Sequence, residues 1–213
     1  MRNSTYSTAR LWLTCLLLAS LLQGCASTVE IPLTLTEPPH WQETISQLSA
    51  IDHWEFSGKI GVKVPARIDS AVINRWKQED AQFIIDLSSA IFGLGATRIE
   101  GTPDFIIITE SGENPITSYH PTKLIQQHIG WPLPIGQLRY WVKGIPAPVK
   151  SANDQISGLK FNNNGELSQL NQNGWQVDYS KYTQFNNVNL PRKVVLRQQQ
   201  AKITVIINEW QLP

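Results

Sequence analysis

The run Trp54-Glu55-Phe56-Ser57-Gly58-Lys59-Ile60-Gly61-Val62-Lys63-Val64 decides how the chain reads. Trp54, Phe56, Ile60, Val62 and Val64 share one parity, while Glu55, Ser57, Lys59 and Lys63 share the other. A period of two marks a half-buried β-strand, because successive side chains leave opposite faces of the pleat. The same alternation returns downstream. Residues 71–77 contain Trp76, and Phe83, Ile85 and Leu87 mark a third strand. Residues 97–100 and 105–109 flank a turn at Gly101-Thr102-Pro103-Asp104, and 116–119 follow a turn at Ser111-Gly112-Glu113-Asn114. Later come Leu159 with Phe161, residues 167–170, and Trp175, Val177 and Tyr179 after Asn173-Gly174, a strong hairpin signal. Val194 and Leu196 precede a final run of Ile203, Val205 and Ile207, ending at Trp210. Roughly ten or eleven short strands with turn signals between them predict a mainly β, antiparallel barrel or sandwich.

Three segments break the alternation. Trp41, Ile45 and Leu48 recur at helical spacing over 40–51. Residues 121–129 open with Pro121, whose fixed φ suits a first helical turn. After the rigid link Gly130-Trp131-Pro132-Leu133-Pro134, Ile135, Leu138, Trp141 and Val142 outline a second short amphipathic helix, stopped by Gly144 and Pro146. Two short helices midway through a meander are not needed to hold a sheet, and they read as a cover for one opening.

The N-terminus reads as a targeting segment. Arg2 and Arg10 precede an apolar stretch at 11–22, too short to span a bilayer, which takes roughly 20 residues. Leu22-Gln23-Gly24-Cys25 has the composition of a lipobox. Residues 1–24 are therefore expected to be a lipoprotein signal peptide and Cys25 the acylated first residue. Residues 25–39, rich in Thr, Pro and Ser, are expected to be a lipidated flexible linker, and 40–213 the folded domain. Ala26, where Asp would resemble an inner-membrane retention signal, implies delivery to the outer membrane. Two or more acyl chains anchor stably, and a mature lipoprotein N-terminus carries a diacylglycerol and an N-acyl chain.

Composition excludes several functions. There are 18 Lys and Arg against 17 Asp and Glu, and losing Arg2 and Arg10 leaves one net negative charge. That balance gives no electrostatic footprint for nucleic acid. The cysteines are Cys15 and Cys25, and only Cys25 survives cleavage, which leaves no internal disulfide and no Cys-based metal site. His40, His53, His120 and His128 show no metal-ligand spacing. No Gly-x-Ser-x-Gly elbow is present. Gly93 and Gly95 precede a strand rather than the helix that a dinucleotide loop needs. No enzyme, cofactor or metal is expected.

Two features point to lipid. The segment Ser88-Ser89-Ala90-Ile91-Phe92-Gly93-Leu94-Gly95 joins two strands yet is apolar where a connection is usually polar. Either its side chains tuck into the core, or they form an exposed apolar tip for lipid or an apolar partner. Trp76, Trp141, Trp175 and Trp210 have the same two readings. They pack a core, or they line an apolar cavity in an incompletely closed barrel, where acyl chains need only area and the exclusion of water.

The chain resembles the LolB family of outer-membrane lipoprotein receptors. The resemblance runs through the lipobox at Cys25, the 54–64 strand, and Phe92-Gly93-Leu94-Gly95-Ala96-Thr97. It continues in Gly130-Trp131-Pro132-Leu133-Pro134 with Leu138, and in Trp141-Val142-Lys143-Gly144-Ile145-Pro146. Gly174-Trp175-Gln176-Val177-Asp178-Tyr179, Leu190-Pro191 and Trp210 complete it. It implies a single unclosed antiparallel barrel of about eleven strands, with short helices covering an apolar cavity. It also implies that the protein takes acylated client lipoproteins from the periplasmic carrier LolA and inserts them into the outer membrane. The expected site residues are Leu94 or Phe92 at the membrane-insertion loop and Trp76, Trp141, Trp175 and Trp210 around the acyl chains. A monomer on the periplasmic side of the outer membrane is expected. The competing reading is a lipid-anchored scaffold whose β domain binds another envelope protein.

Overall fold

The structure is a computed structural model that describes residues 33–88, 95–149, 151 and 154–213. Eleven strands form one antiparallel sheet: β1 (His53–Val64), β2 (Arg67–Glu79), β3 (Gln82–Ser88), β4 (Ala96–Thr102), β5 (Phe105–Glu110), β6 (Ile116–Ser118), β7 (Ile156–Phe161), β8 (Leu167–Gln172), β9 (Trp175–Phe185), β10 (Val188–Gln198) and β11 (Ala201–Gln211). Their order is β6-β5-β4-β3-β2-β1-β11-β10-β9-β8-β7. The first strand in sequence is thus central, flanked by β2 and the last strand. The two edges, β6 and β7, are not joined, so the barrel is unclosed. Among the described residues there are three helices, α1 (Trp41–Ala50), α2 (Pro121–His128) and α3 (Ile135–Trp141). Thr34, inside the stretch read as linker, pairs with Phe161 on β7 through backbone bonds of 3.0 and 2.9 Å.

β1 keeps one parity throughout, with Trp54, Phe56, Ile60 and Val62 buried on the inner face. Its neighbours do not. In β2 the buried residues run Asp69, Ala71, Ile73 and then Trp76, Gln78. In β11 they run Ile203, Val205, Ile207 and then Trp210. Each strand carries one extra residue, at Asn74-Arg75 and near Asn208 respectively. A bulge turns the following side chains over to the other face. Trp76 and Trp210 are off parity in the sequence, and the bulges return them to the inner face on either side of Phe56. Ring centroids lie 5.3 Å apart for Phe56 and Trp76, 5.0 Å for Phe56 and Trp210, and 5.7 Å for Phe56 and Trp54. Gly58 lies between the bulges, where a Cβ would stand 2.1 Å from the Ile206 carbonyl oxygen. Only glycine fits that close backbone approach.

The structure extends several elements beyond the sequence expectation. β9 and β10 run on through 180–185 and 188–192, joined at Asn186-Asn187, with Asn186 at φ 51°. On β9 the extension is largely polar and exposed, with only Tyr182 and Phe185 half-buried, and on β10 the buried residues Leu190 and Pro191 are adjacent, so no period of two marks either. The Asn173-Gly174 hairpin forms as its sequence requires, with both residues at positive φ and Gln172 paired to Trp175.

Candidate functional site

The helices seal the inner face of the sheet. In the cover, spanning 121–149, the buried apolar residues are Ile125, Ile129, Trp131, Leu133, Ile135, Leu138, Trp141, Val142, Ile145 and Ala147. The α3 positions 135, 138 and 141 fall on one stripe because a helix turns once in 3.6 residues, and that stripe is buried. Gly130, at φ 79°, ends α2 and lets the chain reverse into Trp131.

Three buried polar side chains tie this cover down. Asp69 on β2, almost wholly buried, accepts from Trp131 Nε1 at 3.0 Å and pairs with Arg67 Nε at 2.7 Å. Arg67 in turn donates to the carbonyl of Ile129 at the end of α2. Gln172, at the end of β8, accepts from Trp141 Nε1 and from the Ala147 amide, both at 2.9 Å, and donates to the Ala147 carbonyl at 2.7 Å. Lys143 donates to the carbonyls of Leu48 and Ile51, the latter at 2.7 Å. A cation suits those carbonyls, which sit at the C-terminal end of α1. Burial, with Arg139 nearby, lowers the Lys143 ammonium to about 8. These three residues carry no sequence pattern that singles them out. The one hint is a lysine within the apolar run Trp141-Val142-Lys143-Gly144-Ile145.

Trp76, Trp141, Trp175 and Trp210 are all buried on the inner side, at 5% exposure or less. Trp76 and Trp210 belong to one aromatic block, and Trp141 belongs to the cover. Of three clefts between the described residues, none has these four tryptophans in its lining. A cleft of about 570 Å³ runs beside α3, between Gly136, Arg139 and Tyr140, the Pro103-Asp104 turn, and Asn173. One of about 280 Å³ lies between α1 and β8–β10, at Leu48, Leu167 and Tyr182. Another of the same size lies over Phe83, Ile84 and Ile107. The four tryptophans are buried, and the cleft beside α3 lies at the margin of the cover.

Two polar atoms on the inner face, Trp76 Nε1 and the Tyr179 hydroxyl, are buried without a hydrogen-bond partner. Burial pushes the Tyr179 phenol well above its ordinary value, so it stays a donor. Sequence alternation placed Tyr179 on an inner face and gave no sign that its hydroxyl would be unpaired. Cys25, Phe92 and Leu94 lie outside the described residues. Among the described residues one group of metal-capable side chains occurs, Asp52, His53 and Asp80. It is solvent-exposed at the end of β1 and β2, and His53 Nδ1 lies 2.8 Å from Asp52 Oδ1.

The comparisons with known proteins agree with this architecture. The family model for LolB, outer membrane lipoprotein LolB, matches residues 52–210. The outer-membrane lipoprotein LolB of Stutzerimonas stutzeri (strain A1501) is 36% identical over 199 residues, covering 91% of this chain and 92% of the relative. That of Pseudomonas syringae pv. syringae (strain B728a) is 34% identical over 196 residues, covering 91% and 92%. The crystal structure of a LolA superfamily protein from Nitrosomonas europaea shares the fold, with a TM-score of 0.54 at 9% identity over 81% of this chain and 93% of that one. With its unclosed eleven-stranded sheet and helical cover, the chain belongs to the LolB family of outer-membrane lipoproteins.

Proposed function

We propose that this protein is a receptor and not an enzyme, accepting acylated lipoproteins from a LolA-type periplasmic carrier and inserting them into the outer membrane. The observation that carries this reading is the inner face itself. It is apolar, sealed by short helices, and holds two unpaired donors, Trp76 Nε1 and the Tyr179 hydroxyl. A buried donor without a partner destabilises a fold by about 1–3 kcal/mol. A client's acyl ester or amide carbonyl supplies the missing acceptor.

Loading requires the cover to lift. Hydrogen bonds at Asp69 and Gln172 re-form with water when it does, so those at Gln172 oppose opening by about 0.5–1.5 kcal/mol each and the one at the Asp69 carboxylate by about 1.5–3 kcal/mol. Apolar side chains exposed by the movement are re-covered by the acyl chain, at about 0.8 kcal/mol per buried methylene. Opening is thereby coupled to loading, and the cleft beside α3 is the place where a chain enters. A tenfold preference over the carrier takes about 1.4 kcal/mol, so hand-off needs no nucleotide. Cys25 is the lipid attachment point, and Leu94, with Phe92 as the neighbouring candidate, touches the bilayer to favour release.

A transfer assay tests this. Carrier loaded with a radiolabelled lipoprotein is mixed with this protein, and the label is followed by immunoprecipitation. The label should move to this protein, and Leu94→Glu should accept client but release it poorly into vesicles. Label that stays on the carrier would favour the scaffold reading. A Leu94→Glu chain that unfolds would show that the residue is core.

A further inference from the structure

We propose that the outer face of β2, β1, β11 and β10 is a docking surface for anionic phospholipid headgroups. Registers across these strands build two rows. One runs Ile68, Lys63, Lys202, Arg197, and the other Val72, Lys59, Ile206, Lys193. On β1, β2 and β11 these side chains point away from the buried parity, and on β10 Lys193 and Arg197 lie on the same side as Val195, which is buried between them. Arg197 pairs with Asp178. Lys59, Lys63, Lys193 and Lys202 make no ion pair among the described residues. Lys63 and Lys202 stand directly opposite one another, an arrangement that weakens a sheet when no counter-charge is present.

The apolar members of the rows are themselves open to solvent: Ile68 is 72% exposed, Val72 43% and Ile206 42%. Acidic residues collect at the other end of the same strands, with Glu55 on β1, Glu79 on β2 and Glu209 on β11. A chain with nearly balanced charge thus concentrates unpaired cations at one end of its central strands.

The composition favours a lipid surface over a protein. Lysine is depleted at protein interfaces, where Arg and aromatic residues dominate. Flexible lysines around a few shallow aliphatic side chains suit a headgroup layer, which is met by point charges and limited apolar insertion. The family's place at the outer membrane supplies such a surface. The proposal rests on that location and not on client transfer.

The test uses the full lipidated chain in vesicles of phosphatidylcholine alone, or with one third phosphatidylglycerol. Surface lysines are acetylated and their rates read by mass spectrometry. Lys59, Lys63, Lys193 and Lys202 should react more slowly on the anionic vesicles, by about the fivefold per lysine expected near such a surface. High salt should restore the rates, and Lys123 and Lys160 should not change. Equal rates on both vesicles would overturn the proposal, as would protection that appears only when the carrier is added, which would assign the face to a protein. In the variant Lys59→Gln, Lys63→Gln, Lys193→Gln, Lys202→Gln, tether-independent adhesion, read as clustering of anionic vesicles, should be lost while client acceptance persists. Undiminished clustering by this variant would overturn the proposal, whereas a parent chain that accepts no client while its four lysines are protected on anionic vesicles would count against the receptor reading and leave this one standing.

Discussion

The inner side of the sheet contacts two different kinds of structure. At β2, β1 and β11 it is a wall: Trp54 and Phe56 stack, and Trp76 and Trp210, brought inward by two bulges around Gly58, meet them in tilted and edge-on contacts. Facing the sheet elsewhere is the cover, apolar as well, but fastened through Asp69, Gln172 and Lys143. The wall has no alternative partner in water, so separating its rings loses their burial outright. The cover's polar ties exchange readily with solvent. The difference teaches which part of the molecule is permanent and which can move. Substitutions that touch one part and leave the other alone can break or sharpen the distinction.

The largest effect is expected at Phe56→Ala, the centre of the wall. Loss of the ring should lower stability by about 3–5 kcal/mol, measured by urea denaturation, with the whole fold weakened together. A loss confined to the cover would show that the wall is no distinct unit. Gln172→Leu comes next. It strands Trp141 Nε1 and both backbone groups of Ala147 and should lower stability by about 2 kcal/mol. An apolar fluorescent probe should also enter faster than in the parent. An unchanged rate would mean that the cover does not gate the interior.

Lys143→Met should loosen α1 by on the order of 1–2 kcal/mol, since two carbonyls lose their donor. It also carries a pH signature. The folded chain releases the Lys143 proton near pH 8, while the unfolded chain keeps it to its ordinary value. Between those values the unfolded state binds more protons, so the contribution of Lys143 to stability rises with pH. Denaturation midpoints of the parent should therefore gain on those of the variant as the pH rises above 8. A flat difference would place the ammonium in solvent. The smallest change is at Tyr179→Phe, which removes an unpaired buried hydroxyl. Stability should rise by about 1 kcal/mol, while client acceptance falls. Acceptance equal to that of the parent would show that the hydroxyl is not used.

The wall was far more legible in the sequence than the cover's fastenings. Alternation through β1 announces its inner face, and the helix stripe of Ile135, Leu138 and Trp141 announces the cover itself. What alternation cannot show is a bulge. Trp210 falls three residues after Ile207, a broken period, and only the pairing with β1 explains it. The outer half of β9 is polar and lacks a buried face, and in β10 the adjacent buried pair Leu190-Pro191 breaks the period. Asp69, Gln172 and Lys143 are ordinary polar residues, buried only because distant segments meet there, as in the 62-residue separation between Asp69 and Trp131.

Hydrogen exchange of the full chain, with and without an acylated client, tests the division between wall and cover most directly. The account predicts that amides of 121–149 exchange faster than those of 54–62 and 203–210 in the free protein, and that client loading alters the cover while leaving the wall unchanged. Exchange at one common rate in both regions, insensitive to the client, would contradict it.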